Sequence, residues 1–293
     1  MKKQNVYIIM LHHRDIAVTI TCLKSLLRVE TYPFHLILIN NSLIPLGDPL
    51  FKNDKITVYN SSENVGFAKG VNIGVRKALT KKTDFILLLN NDTTITKPFL
   101  GKMIATALKQ TSIGIVAPAI EFLKDKKRVY DIGGTYDKRF GRTSHTEVFS
   151  LHNLQLLETE YVSGCCMLIK QEVFKNIGLF DETFYLYYED IDFCIRAKRA
   201  GFRTVVEPTV SIYHALSKTI GKSSPLGIYH LTRSAIFFGR KYFSAWNKKP
   251  FYMMFLLFQI ALFGKHSRKN LIVSLQAVHD IMGNKIRGQI SSE

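Results

Sequence analysis

Five acidic side chains, Asp181, Glu182, Glu189, Asp190 and Asp192, crowd one short stretch of a chain that carries 40 Lys+Arg against 23 Asp+Glu. Tyr185, Tyr187 and Tyr188 sit among them. A carboxylate can take a proton from a hydroxyl while aromatic rings pack against a sugar, so the mixture suits carbohydrate chemistry. A helix start also attracts acids through its dipole, which would account for Glu189 and Asp192 without any chemistry. It does not account for three tyrosines beside an Asp.

A second polar cluster ends an apolar run. In "DFILLLNNDTTI" (84–95), five apolar residues lead straight into Asn90-Asn91-Asp92. Asn and Asp are ordinary turn formers, but the carboxyl ends of strands in an open α/β sheet are also where ligands bind. His214 is a candidate partner for Asp92, because a hard divalent cation needs only one or two protein ligands when phosphates complete its shell. Upstream, glycines at 66, 70 and 74 share one helix face. Gly74 reads as close packing. Gly66 and Gly70 read either the same way or as a place where a helix N-terminus approaches a nucleotide.

These residues need a scaffold, and the pattern supplies one. Apolar strands at 6–11, 35–40, 56–60 and 85–89 alternate with helical periodicity at 15–29 (Asp15 as N-cap), 66–79 and 98–110. A further strand reads at 113–118. This rhythm predicts an α/β fold with a mainly parallel central sheet flanked by helices. Residues 121–160 show no clear period and read as a long excursion over one face, the kind that is usually functional. Order returns with a strand-like segment at 160–170, helices at 171–178 and 189–201, and a strand at 203–208.

The order "ENVGFAKGVN", "LLLNNDT", "VSGCCMLIKQEVFKNIGLFDETFYLYYEDIDFCIRAKRAGFR" and then a His resembles the inverting glycosyltransferases of family 2, in their rhamnosyltransferase-like branch of bacterial surface-polysaccharide synthesis. The resemblance covers about residues 5 to 240. It implies a GT-A fold over 1–225, with a nucleotide-binding half to about 118 and an acceptor-binding half over about 119–225. It implies a nucleotide-sugar donor, a glycan or lipid-linked glycan acceptor, and Mg²⁺ or Mn²⁺. By that match Asp190 is the expected general base with Glu189 as the alternative. Asp92 and His214 are the expected metal ligands. His12, Asn40, Gly66, Gly70, Asn72, Asn90 and Asn91 are placed at the nucleotide, and Tyr187 and Tyr188 at the acceptor. Asn stands at 40 and 90 where the family commonly has Asp, which weakens metal and base contacts. Asn-x-Asp versions resemble rhamnosyl and furanosyl transferases, so the expected donor is dTDP-L-rhamnose, with UDP-galactofuranose as the alternative.

The tail changes character. From Leu226 to Glu293 there are ten Lys/Arg and two Asp/Glu, a net +8 (10 − 2) out of +17. Within this basic, helical extension, residues 251–264 form an apolar run shorter than the ~20 residues that span a bilayer. Flanked by lysines, it reads as a helix lying on an anionic membrane, or else as one buried on the domain or in a homodimer. Four cysteines without a CxxC pair read as free thiols of a cytosolic protein. The six or so apolar residues after the N-terminal lysines are too few for a signal peptide. The expected place is the cytoplasmic face of the membrane. A nucleic-acid binder would use the basic surplus but leave the acidic cluster unexplained, so no nucleic-acid partner is expected. A nucleotide-sugar binder without turnover is the other rival.

Overall fold

A computed structural model describes residues 3–124, 127–137, 142–215, 224–242, 257 and 268–282. The elements that position the polar clusters are β1 (Val6–His12), α1 (Ile16–Val29), β2 (His35–Asn40), β3 (Ile56–Asn60), α2 (Phe67–Leu79), β4 (Phe85–Leu89), β5 (Thr93–Thr94), α3 (Leu100–Leu108), β6 (Ile113–Lys124), β7 (Lys127–Asp137), β8 (Arg142–Val148), β9 (Leu157–Thr159), β10 (Cys166–Lys170), α4 (Gln171–Ile177), α5 (Glu189–Arg199), β11 (Arg203–His214), α6 (Pro225–Tyr242) and α7 (Arg268–Met282).

The strand order is β3-β2-β1-β4-β10-β6-β11-β5. The first four strands run parallel, in the registers Ile9↔Ile37, Ile9↔Leu88 and Leu38↔Val58. Their residues alternate between two cores. Ile9, Ile37, Ile39, Ile86 and Leu88 face the α2 side, while Ile8, Met10, Leu36, Leu38, Leu87 and Leu89 face α1 and α3. A strand covered on both faces reads as a continuous apolar run because neither side meets water. Each such side chain contributes about 1.5–3 kcal/mol by leaving water. Asp15 caps α1, accepting the N–H groups of Ala17 and Val18.

Beyond β4 the sheet is mixed. β10 runs antiparallel between β4 and β6, with Leu168 opposite Leu87 and Val116. Residues 121–160 are not a loose excursion. β6 continues to Lys124 and pairs with β7, and β7 pairs with β8. β8 is largely exposed, while β7 buries Val129, Ile132 and Tyr136 between charged and polar residues. A register shift between Asp131 and Gly134, with Gly133 at φ +93°, breaks the alternation further. β11 likewise runs past residue 208, through an irregularity between Glu207 and Ser211, to pair its last residues with β5.

α6, in the basic tail, packs on the acidic loop ahead of α5, and α7 packs on α6 through Val273 and Ala277 against Ile228 and Tyr229. Residues 251–264 lie outside the described residues apart from exposed Leu257. No helix among the described residues is long and apolar enough to cross a membrane. All four cysteines are free and buried.

Candidate active site

The pairing of His214 with Thr93 sets His214 beside Asp92. Its Nε2 lies 3.1 Å from Asp92 Oδ1, and the Ala215 N–H donates to the Asp92 carbonyl at 3.0 Å. Both side chains are largely buried, at 14% and 6% exposure. Burial works against a charged His214 ring, but Cys165 and the hydrogen bond to the Asp92 carboxylate outweigh it and raise its pKa to about 11. Asn90 is fixed through its backbone: its N–H donates to Cys165 O at 2.8 Å and its carbonyl accepts Thr93 Oγ1 at 2.8 Å. Its half-buried carboxamide makes no hydrogen bond among the described residues and is open to a ligand.

Several residues matched to the nucleotide turn inward instead. Asn91 Nδ2 donates to Thr19 Oγ1 at 2.8 Å, and His12 Nδ1 meets the same hydroxyl at 2.7 Å. Together they tie the β1–α1 junction to the turn that carries Asp92. Burial first, then the neighbouring His13, keep His12 below its ordinary pKa and hence neutral. Asn40 donates to Ile44 O and to Asn60 Oδ1, both at 2.9 Å, and accepts from the Ser42 N–H and hydroxyl. An Asp could not make those two donations. Asn at 40 is therefore a loop organiser, and its difference from the family's Asp has a local cause.

Asn72 is also committed. Its Nδ2 donates to Phe180 O (2.8 Å) and Glu182 Oε1 (2.9 Å), and its Oδ1 accepts the Phe180 N–H (3.0 Å). It clamps α2 to the acidic loop and has no donor left for a nucleotide. A Cβ on Gly70 would come within 2.5 Å of Leu11 Cδ1, so this glycine packs α2 on β1, as Gly74 does against Ile9. Gly66, at φ +82°, admits the ring and carbonyl of Tyr185, each 2.6 Å from where its Cβ would be. The Tyr185 carbonyl also accepts the Phe67 N–H at 2.7 Å, so the start of α2 is partly capped by protein.

Two residues near the first loop carried no motif. Asn41 joins β2 to the 64–66 turn through Asn64 Oδ1, Gly66 O and the Val65 N–H. His13 lies against the Asn41 backbone, whose hydrogen bond opposes the lowering of its pKa by burial and by Arg14. The doubled histidine at 12–13 was the one visible signal.

The acidic cluster separates by burial and partner. Asp181 pairs with Lys241 at 2.6 Å, and Glu182 with Arg76 at 2.7 Å. Asp192 is held by Arg196 (2.8 Å), Lys241 (2.6 Å) and the Tyr242 hydroxyl (2.5 Å). These three are structural. Glu189 is 5% exposed, and its Oε2 has no hydrogen-bond partner among the described residues. Burial, then the charge of Asp190, push its pKa well above the usual carboxylate range. Asp190 is half-buried and accepts two backbone N–H groups, from Ile191 at 2.8 Å and Gly164 at 2.9 Å.

Tyr187 and Tyr188 sit at φ +68° and +71°, immediately before these acids. Left-handed backbone costs about 1–3 kcal/mol at each non-glycine residue and persists where the surroundings enforce it. The Tyr188 ring packs on Phe238 at 5.1 Å. Burial, then Glu189, raise the Tyr187 pKa to about 12. Tyr161 lies close to Asp190 and is fully buried. Nothing in its local sequence marks it.

One turn joins the two polar clusters. Gly164 donates its N–H to Asp190, and the next residue, Cys165, accepts the Asn90 N–H. A carboxylate suited to proton transfer and a carboxylate–imidazole pair thus flank the same two residues.

The model of the family described as "Glycosyltransferase like family 2" matches residues 6–226. The chain belongs to this family. Among its curated relatives, the low-salt glycan biosynthesis hexosyltransferase Agl10 of Haloferax volcanii is 29% identical over 148 residues, covering 50% of this chain and 48% of the relative. The chain therefore spans about half the length of that protein. The dTDP-rhamnosyl transferase RfbF of Shigella flexneri is 25% identical over 210 residues, with 69% of each chain covered. An N-acetylglucosaminyl-diphospho-decaprenol L-rhamnosyltransferase of Mycobacterium tuberculosis is 30% identical over 92 residues, covering 31% of this chain and 29% of the relative. In fold, this family 2 chain is similar to GalNAc-T7 with UDP, GalNAc and Mn²⁺ (TM-score 0.57, 14% identity, 72% of this chain and 43% of that one). It is likewise similar to the mannosyltransferase PcManGT of Pyrobaculum calidifontis with GDP-Man and Mn²⁺ (TM-score 0.56, 14% identity, 98% and 77%). The GT-A architecture expected from the sequence is the one these neighbours have.

Proposed function

We propose that the protein is an inverting glycosyltransferase that moves a sugar from a nucleoside-diphosphate donor to a glycan or lipid-linked glycan. L-rhamnose from dTDP-L-rhamnose is the favoured donor, since two of the relatives carry rhamnosyl transfer in their names. The observation that carries this reading is the Gly164–Cys165 turn, which holds Asp190 on one side and the Asn90–Asp92 turn on the other.

Asp190 takes the proton of an acceptor hydroxyl. The oxygen attacks the anomeric carbon from the face opposite the diphosphate, that bond breaks, and the configuration inverts. Asp92 and His214 fit a hard cation: one buried carboxylate oxygen and one imidazole nitrogen face each other, and no set of three protein ligands exists among the described residues. Such a pair suits Mg²⁺ or Mn²⁺ whose remaining ligands are phosphate oxygens, and the ion would offset charge on the departing diphosphate. Asn90 is assigned to offer its carboxamide to the donor, and Tyr187 to pack against the acceptor ring.

A melting-temperature screen of dTDP and UDP with Mn²⁺ tests this. A nucleotide at a hundred times its Kd adds about 2.7 kcal/mol of stability, roughly 5–10 °C in Tm. The expected result is a shift with dTDP that needs the metal. A larger shift with UDP would favour a UDP-sugar such as UDP-galactofuranose, and RNA as the sole stabiliser would sink the enzyme reading.

The basic tail is assigned to the anionic cytoplasmic face of a membrane, where lipid-linked acceptors reside. Its support is the +8 charge and the exposed Leu271, Ile272 and Leu275 on α7. The protein should sediment with vesicles containing acidic lipid and release with salt. Absence from the pellet at low salt would refute the assignment.

A further inference from the structure

The two left-handed tyrosines do not hold themselves. Residue 188 is the N-cap of α5, yet no side chain caps that helix. Consecutive left-handed residues with bulky side chains must be imposed from outside. The residues that impose them are on two sides of the loop 180–188.

On the donor side, Phe180 is clamped by Asn72, Glu182 by Arg76, and Tyr185 by the Phe67 N–H and by its own hydroxyl donating to Asn64 O at 3.1 Å. On the other side stands α6. Arg233 Nη1 donates to Thr183 O at 2.8 Å, and Ser234 Oγ donates to Leu186 O at 2.8 Å. Between those two carbonyls, the Tyr185 ring stacks on His230 with centroids 4.5 Å apart. Arg233 is 3% exposed and Ser234 is fully buried. The Arg233 guanidinium lies over the Phe237 ring at 4.6 Å. A buried guanidinium is costly to desolvate. Here it donates to a backbone carbonyl four residues before the first left-handed tyrosine, while Tyr229 and the buried Asp280 carboxylate favour its charge.

We propose that Arg233 and Ser234 are positioning residues for the general base. By gripping the Thr183 and Leu186 carbonyls, α6 sets the Tyr187–Tyr188 turn and, through it, the place of Asp190 against an acceptor hydroxyl. This rests on Asp190 being the base. Both residues act through the loop, so losing the grip should slow the proton-coupled step while leaving the donor site, built on β1, β4 and β11, intact.

The test uses the full chain, with transfer measured from dTDP-L-rhamnose to N-acetylglucosaminyl-diphospho-prenol or to water, and with dTDP–Mn²⁺ affinity measured alongside. Ser234→Ala should lower kcat on the order of 10-fold, and Arg233→Ala on the order of 10–100-fold, with the dTDP–Mn²⁺ Kd within about twofold of the parent. Arg233→Lys, which keeps a donor for Thr183 O, should recover to within about threefold. If Arg233→Ala does not fold, Ser234→Ala and Arg233→Lys decide. Parent-like kcat in Ser234→Ala, or loss of nucleotide affinity in step with kcat, overturns the proposal. Asp190→Asn separates the two readings. If it is inactive while the α6 variants turn over normally, only the grip is wrong. If it retains transfer, the assignment of the base fails first.

Discussion

Asp92→Ala should remove most of the metal dependence of nucleotide binding: dTDP affinity in Mn²⁺ falls at least about 100-fold, while the weak affinity in chelator hardly changes. The geometry dictates the size of the effect. Asp92 is the one carboxylate at the carboxyl end of β4, and its oxygen already lies 3.1 Å from the only imidazole beside it among the described residues. No third protein ligand is on hand there to compensate. His214→Ala should cost less, on the order of 10-fold, because a water can replace a neutral nitrogen but not a charge. The Asp92 carboxylate and Cys165 raise the His214 pKa in the metal-free protein, so Mn²⁺ binding is expected to release a proton and to tighten as pH rises. Titration calorimetry in two buffers of different ionisation heat reads both the affinity and the proton. A Mn²⁺ dependence in Asp92→Ala equal to that of the parent would remove the cation from this position.

The parallel half of the fold was legible because its strands are buried on both faces, and burial on both faces leaves an unbroken apolar run. Helix α1 was legible down to its Asp15 cap. The meeting of Asp92 with His214 was anticipated from residue type alone. The pairing of β11 with β5 that brings them together is a contact across 122 positions, which no local pattern carries. The β7–β8 hairpin was hidden for a different reason: β8 is largely exposed, and the Gly133–Gly134 irregularity breaks the alternation of the buried Val129, Ile132 and Tyr136 on β7.

The nucleotide-site residues show where sequence motifs stop. Residue type says that Asn40, Asn72 and Asn91 are polar and near the right strands. Side-chain direction decides what they touch, and all three are spent on protein partners. Gly66 and Gly70 needed space, as their type implied, but for Tyr185 and Leu11 rather than a ligand. Burial also divides neighbours that sequence treats alike. Glu189 and Asp190 are adjacent acids, yet one is buried with its pKa pushed up while the other is half-buried and accepts two backbone N–H groups. The contribution of α6 had no signature, because a serine and an arginine on a helix reveal nothing of the carbonyls they reach.

The division between Glu189 and Asp190 carries the mechanism. Asp190→Asn preserves size and can still meet one backbone N–H, but it cannot accept a proton. General-base catalysis contributes ~10²–10⁴-fold, so kcat should fall within or beyond that range while dTDP–Mn²⁺ binding stays near the parent's. Glu189→Gln replaces a carboxyl whose burial disfavours its charged form. It should keep most of its transfer rate, losing instead about 1–3 kcal/mol of stability through an unpaired buried amide. Single-turnover transfer from dTDP-L-rhamnose, compared for the two variants beside the parent, tests this most directly. The expected result is an inactive Asp190→Asn that binds nucleotide normally and an active Glu189→Gln. An active Asp190→Asn beside an inactive Glu189→Gln would contradict the account and move the base to Glu189.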